Sequence, residues 1–377
     1  MSHVNQIHIK GIKIEAVSAQ KIPPTLPLPK GGISVPSLAK RGEGYFSSPP
    51  LRGGDEGEGD LSDFMNDRIS KIRSHLRALL FMAAAAIFFS AGSASAVEKP
   101  RQGEDILLDT YHSIEAKIER NSFGFPLFLE SFERDNRVHV DVYGIFDYPF
   151  TSVANVLKAP ANWCDIVSLH PNVKTCTYRE LPVAWQLTFY IGRKFYQPPE
   201  AARQVIYHYR KVDQKPGYLD ITLSADEGPF STKDHRMRFE ALPLAGGKTF
   251  VHVSYDYNDS AAIRLTEKVY FATLGRGKVG FTVTGTDKNN KPVYIGGSRG
   301  AVERNAVRYY FAIQSFMNTM RYPEGSRFSM RISEWYDLTT RYRTQLFEME
   351  KKDYLTLKTK EHKNQVILQW RIGMGLQ

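Results

Sequence analysis

The side chains that could do chemistry are dispersed along this chain. His139, His170, His208, His235 and His252 stand singly. A histidine titrates near neutral pH and can act as a general acid or base. Without a partner at fixed spacing, each of these reads as a surface or satisfied core histidine. Two cysteines, Cys164 and Cys176, with no histidine at ligand spacing, do not make a zinc site. There is no Gly-x-Ser-x-Gly elbow, no phosphate loop ending in Gly-Lys-Ser/Thr, no His-Glu-x-x-His and no Cys-x-x-Cys. Gly275-Arg276-Gly277-Lys278-Val279-Gly280 is glycine-rich and basic, but it does not open onto a helical pattern, so it reads as the entry to a hairpin and not as a phosphate site. The sequence therefore favours a binding protein over an enzyme and calls for no cofactor and no metal.

Composition bounds the class. The chain has 377 residues, 42% hydrophobic and 12% aromatic, enough to bury a substantial core in one domain or two. A net charge of +10 favours acidic partners, an anionic membrane surface among them. Lysine and arginine are spread along the whole chain without a run of five, which argues against nucleic acid.

Residues 1 to 64 carry clusters such as Ile22-Pro23-Pro24, Lys30-Gly31-Gly32 and Ser48-Pro49-Pro50 and almost no apolar periodicity, so they are read as disordered or as untranslated residues before a misassigned start. From Met65 the order changes. A basic stretch with Arg68, Lys71, Arg73 and Arg77 precedes the apolar run Ala78 to Ala91, and the small-x-small site Ala94-Ser95-Ala96 follows. That is the pattern of a secretory signal peptide, 65 to 96, cleaved after Ala96, and it places the protein in the periplasm or outside the cell. The competing reading keeps Met1 and makes 78 to 91 an uncleaved anchor, although such a run is short for a membrane span. An oxidising compartment permits Cys164 and Cys176 to pair; two independent buried thiols are the alternative.

The elements that must position any site follow from periodicity. Ile106, Leu107, Tyr111, Ile114 and Ile118 predict a helix over 103 to 120. Val138, Val140 and Val142 alternate with His139, Asp141 and Tyr143, predicting a half-buried strand from Arg137 to Phe146. Thr151 or Ser152 is expected to cap a short helix that Pro160 stops, with a second short helix holding Trp163, Ile166 and Val167. Further strands are expected at 183–191, 204–211, 218–225, 236–242, 249–257, 278–284 and 292–295, joined by turns short enough to make an antiparallel meander. Residues 261 to 274 fit a helix or a strand. After Gly300 a long helix runs through Met320, and Pro323 to Ser326 separates it from another through Ile332, Trp335, Tyr336, Leu346 and Met349.

One strand, two short helices, a run of antiparallel strands and a long helix is the element order of the START-like, or helix-grip, superfamily. The resemblance is carried by Val138 to Phe146 with Asp147-Tyr148-Pro149-Phe150 and Val153 to Leu157, by Ala161-Asn162-Trp163 and Val173-Lys174, and by Phe239 to Leu244 leading to Gly247-Lys248-Thr249. It covers about residues 137 to 322, leaving 97–136 as an N-terminal and 323–377 as a C-terminal helical extension. It implies an α+β fold in which a curved antiparallel sheet wraps a long C-terminal helix around an apolar cavity for a lipid or other hydrophobic small molecule. Trp185, Leu187, Phe189, Leu219, Ile221, Leu223, Val251, Val253 and Tyr255 from the sheet and Tyr309, Tyr310, Ile313, Phe316 and Met317 from the helix are expected to line it.

The expected function is transport or sequestration of that ligand by an exported protein. Some members of the superfamily are cyclases or aromatases, and His208, Tyr218, Asp220, Thr222 and His252 would supply polar groups for such chemistry if their faces turned inward. A third reading is an envelope module that binds a protein through its flanking helices.

Overall fold

Strand alternation in the central third of the chain builds the sheet. The computed structural model describes residues 103–229, 232–259 and 277–376, all within the unit Ser95–Gln377. The expected disordered stretch, the signal peptide with its cleavage site, and the ambiguous segment 261–274 lie outside the described residues.

In chain order the elements are α1 (Gly103–Glu119), β1 (Leu127–Arg134), β2 (Arg137–Phe146), α2 (Phe150–Leu157), α3 (Pro160–Val167), β3 (Val173–Glu180), β4 (Trp185–Ile191), β5 (Arg203–Lys215), β6 (Tyr218–Glu227), β7 (Lys233–Leu244), β8 (Lys248–Asn258), β9 (Val283–Thr286), β10 (Pro292–Tyr294), α4 (Gly297–Thr319), α5 (Glu324–Thr340), α6 (Arg343–Leu346) and α7 (Lys351–Gly373). The main sheet has eight strands in the order β1-β2-β8-β7-β6-β5-β4-β3. Strands β3 to β8 form the expected antiparallel meander, and β2 closes against β8 in unbroken register from Arg137↔Asn258 to Phe146↔Thr249. The turn between β7 and β8 uses Gly246 and Gly247 at φ 72° and 69°, a left-handed conformation that side chains oppose.

Helices cover both faces. On the inner face α4 packs on β1, β2 and β8, α2 on β7 and β8, and α3 on β3 and β4. On the outer face α1 lays Leu107, Ile114 and Ile118 against Tyr143, Tyr218, Leu242 and Phe250. This is the helix-grip arrangement, with α1 and α5 to α7 added to it. The disulfide Cys164–Cys176 ties α3 to β3 and resolves the alternative left open by the sequence.

Several boundaries differ from expectation for identifiable reasons. Residues 127–134, placed in a helical extension, form β1 and pair with β2 from Leu127↔Gly144 to Arg134↔Arg137. Its start, Leu127-Phe128-Leu129, does not alternate. Strand β3 was also unseen, because Val173 to Thr177 are buried on successive positions. Helix α2 starts at Phe150 with Pro149 before it and no side-chain cap, so neither Thr151 nor Ser152 plays that part. In place of the strands expected at 278–284 and 292–295 stands the separate hairpin β9–β10, whose first strand starts at Val283 and runs on to Thr286. The backbone N–H groups of Phe281 and Thr282 donate to the buried Glu303 carboxylate of α4 at 2.6 and 3.0 Å and so have no strand partner. The single helix expected through Met349 ends at Thr340, and the chain then turns to bring Glu348 onto Arg308 at 2.6 Å before α7 begins.

Candidate functional site

The inner face collects the residues expected to line a cavity. Leu187 and Phe189, Leu219, Ile221 and Leu223, and Val251 and Val253 all point inward and are buried. Tyr309, Tyr310, Ile313, Phe316 and Met317 meet them from α4 in one continuous core. The aliphatic members pack directly on one another. Trp185, at the start of β4, is half-buried against the edge of this core and also lines a surface hollow of about 550 Å³ with Pro160, Val183 and Tyr209.

Polar groups enter this face at one end, where tyrosine replaces the aliphatic residues. Tyr207 on β5 packs against Phe189 with tilted rings whose centroids are 4.3 Å apart. Tyr255 near the end of β8 meets Tyr309 of α4 edge-on at 6.4 Å. His235 on β7 sits 3.0 Å from the Tyr255 hydroxyl through Nδ1 and 2.7 Å from the Thr232 hydroxyl through Nε2. Its ring also stacks on Tyr257. His170 stacks on Tyr309 from the other side and reaches Asn305 Oδ1 at 3.2 Å. Burial raises the hydroxyls of Tyr207, Tyr255 and Tyr309 and pushes His235 down to about 4. Burial, helped by the Arg308 charge, also holds His170 well below its usual value. The cluster is therefore neutral near pH 7 and offers tyrosine hydroxyls, since both nitrogens of His235 and of His170 are already engaged within the protein. It is suited to the hydroxyl or carbonyl end of a hydrophobic molecule and not to an ion.

Of this cluster Tyr255 and Tyr309 belong to the expected lining, while His170 and His235 stand in the sequence only as single histidines. Tyr207 shares the inward parity of Val205, Tyr257 that of Val253 and His235 that of Met237, and this parity was the available signal.

The polar residues considered for cyclase chemistry lie elsewhere. His208, Tyr218, Asp220, Thr222 and His252 occupy the outer face, since their neighbours Tyr207, Leu219, Ile221, Leu223 and Val251 take the inner one. His252 is held at both nitrogens, Nδ1 by Glu240 and Nε2 by Asp141, each at 2.8 Å. Burial alone would lower its pKa, but the two carboxylates raise it. A ring with both nitrogens engaged has none left to act as a base. The network continues through Glu240 to Tyr218 at 2.6 Å and through Arg238 to Asp220 at 2.7 Å. On the other side His139 bonds Asp141 at 2.8 Å, and Arg137 pairs with Asp256 at 2.6 Å. This network joins β2, β8, β7 and β6 side by side.

Two further buried charge clusters fix the added helices. Glu348 receives Arg308, Lys194 and Lys278 at 2.6, 2.6 and 2.9 Å. Burial would raise its pKa, but these cations bring it to about 2. Glu361 of α7 bridges Lys174 of β3 at 2.8 Å and Lys358 at 2.7 Å. Among the described residues no group of three histidine, cysteine or acidic side chains is placed to hold a metal, and no helix is long and apolar enough to cross a membrane.

Comparison with known proteins adds a likeness of chain path. No family model and no curated protein sequence matches this chain. Solved structures do. Human StAR-related lipid transfer protein 5 is 10% identical, with 58% of this chain and 98% of that one covered at a TM-score of 0.29. A START superfamily protein from Mycobacterium smegmatis is 12% identical over 37% of this chain and 92% of its own, at 0.25. Zhui aromatase/cyclase from Streptomyces sp. R1128 is 14% identical over 33% of this chain and 70% of its own, at 0.23. At these identities and scores no activity carries over from any of the three.

Proposed function

We propose that this chain is an exported carrier that binds one lipid or other hydrophobic small molecule between the sheet and α4, for transport or sequestration. The observation that supports the reading is the neutral cluster of Tyr207, Tyr255, Tyr309 and His235 at one end of an otherwise apolar inner face. Such a face, with few convergent hydrogen-bonding groups, is the common form of a hydrophobic ligand site. The ligand's apolar body displaces or spreads the core side chains, and its polar end takes the tyrosine hydroxyls. Export is read from the 65–96 pattern, with Val97 as the first residue of the secreted form.

The test is to express residues 65–377 with export intact, purify gently from the periplasm and compare native with denaturing mass spectra. A stoichiometric hydrophobic adduct that weakens in Tyr255→Phe and Tyr309→Phe supports the carrier reading. An apo mass, together with no shift in melting temperature on adding the organic extract of the envelope, removes it. Amino-terminal sequencing of the native protein, expressed from its own gene, tests export, and a residue before Met65 overturns that part alone.

A further inference from the structure

Helix α7 buries Tyr354 and Leu357 in its first half, but from Glu361 onward it turns polar side chains toward the protein and leaves Val366, Ile367, Trp370 and Met374 toward solvent. Gln369 accepts from the backbone N–H of Tyr178 and donates to its carbonyl, both at 2.9 Å. Gln365 accepts from the N–H of Cys176 at 3.1 Å, and Glu361 and Lys358 complete this face. The same glutamines cover the free edge of β3, where unpaired backbone groups would otherwise invite another strand. Pinned in this way, the helix cannot roll. Its opposite side leaves Ile367, Trp370 and Met374 at 53%, 60% and 62% exposed, with Val366 and Leu376 also in solvent. At 3.6 residues per turn, Lys360, Lys363, Val366, Ile367, Trp370, Arg371 and Met374 share one arc of roughly 140°.

The patch extends beyond the helix. Asn364 donates to the Tyr196 hydroxyl at 3.2 Å and Lys360 stands over the Tyr196 ring, which brings the exposed pair Phe195 and Tyr196 of the β4–β5 loop beside α7. Arg193 lies over Phe195. Between α7 and β3 to β5 runs a groove of about 420 Å³ lined by Arg179, Arg371, Ile206, Leu368 and Ile372. No aspartate or glutamate occurs after Glu361, and Glu361 is buried between two lysines. Aromatic and aliphatic side chains interleaved with lysine and arginine, on one face and without acids, are the composition of a helix that lies in a bilayer interface.

We propose that α7 and the 193–196 loop form a docking surface for anionic phospholipid bilayers, with Trp370, Ile367 and Met374 entering the interface and Lys360, Lys363 and Arg371 meeting the phosphates. The charge decides the occupant. A second copy of this chain would oppose the same basic face to itself, and its like charges would repel. The surface is separate from the inner-face cluster and does not depend on the carrier reading.

The experiment is co-sedimentation of the purified chain with vesicles of pure phosphatidylcholine and of an equal mixture of phosphatidylcholine and phosphatidylglycerol. The chain sediments with the mixed vesicles, is released by high salt, and stays soluble with phosphatidylcholine alone. Each of Lys360→Gln, Lys363→Gln and Arg371→Gln lowers partitioning about fivefold, and Trp370→Ala lowers it about tenfold. These side chains are exposed, so unchanged melting curves separate lost docking from lost folding. Equal binding to both vesicles, no binding to either, or binding indifferent to Trp370→Ala overturns the proposal. A salt-resistant dimer that protects Trp370 from quenching also overturns it and gives the face to a protein contact.

Discussion

Replacing Glu361 by glutamine keeps the shape of a buried bridge and removes its charge. The carboxylate sits between Lys174 and Lys358, with the three side chains at most 3% exposed. Both ammonium groups are saturated. Lys174 also donates to the carbonyls of Pro171 and Phe195, and Lys358 donates to those of His170 and Val173. In Glu361→Gln one lysine keeps an acceptor while the other faces an N–H₂ group, so two buried cations lose their counter-charge. Breaking such a pair costs about 3–5 kcal/mol, which in a domain of this size lowers the melting temperature by roughly 10 °C.

The pH dependence carries a sign. Burial brings Lys358 down to about 8 against an ordinary 10.5, in spite of Glu361. Between those values the unfolded chain holds a proton that the folded chain does not, so this group adds stability as pH rises through that window. Without Glu361 a lysine sheds its proton still more readily and can then accept from the glutamine amide. The deficit of Glu361→Gln relative to the parent therefore shrinks when urea unfolding is repeated at about pH 9 in place of about pH 7. A deficit below about 1 kcal/mol at neutral pH, or one that grows with pH, refutes the reasoning. Replacing all three residues together by Met, Met and Leu is expected to be far milder than Glu361→Gln, because no charge is then stranded.

Other outcomes follow from the same contacts. Cys164→Ser or reduction opens the loop to Cys176 and costs about 3 kcal/mol by chain entropy, read as a lower urea midpoint. Gln365→Ala combined with Gln369→Ala strips the β3 edge of its cover, costs about 1–3 kcal/mol for each backbone group left unpaired, and makes the chain self-associate in light scattering. His139 is half-buried, which alone would lower its pKa, but Asp141 and Asp256 bring it up to about 9 from 6.5. Its contribution is complete below 6.5 and is lost as pH rises through about 9, so His139→Gln flattens the fall in melting temperature over that window, and an unchanged slope counts against the network.

The legible parts of this protein are those where one face alone is buried. Val138, Val140 and Val142 alternate with His139, Asp141 and Tyr143 because the inner face is apolar and the outer face carries the charge network, and β2 was found at its full length. Helix α1 was legible through Leu107, Ile114 and Ile118 for the same reason. Strand β3 was not. Helix α7 covers its open edge, the core takes its inner face, and Val173 to Thr177 are buried in succession with Lys174 among them. A lysine there looks like a surface residue until Glu361, 187 positions away, is placed against it. The candidate site divides in the same way. Alternation grouped residues such as Leu187, Ile221 and Val253 on one face of their strands and left open which face is inward, whereas the gathering of Tyr207, His235, Tyr255 and Tyr309 at one end depends on strand order and on where α4 crosses.

The sequence by itself determined most of the secondary-structure periods and the run of antiparallel strands before a long helix, since local burial writes itself into spacings of two and 3.6 residues. Only the tertiary structure decided that α7 turns its glutamines inward and its tryptophan outward. Periodicity marks two faces of a helix without saying which meets protein. Here the choice belongs to the unpaired edge of β3, whose Tyr178 backbone is 191 residues from Gln369 and bonds the polar face in preference to the apolar one.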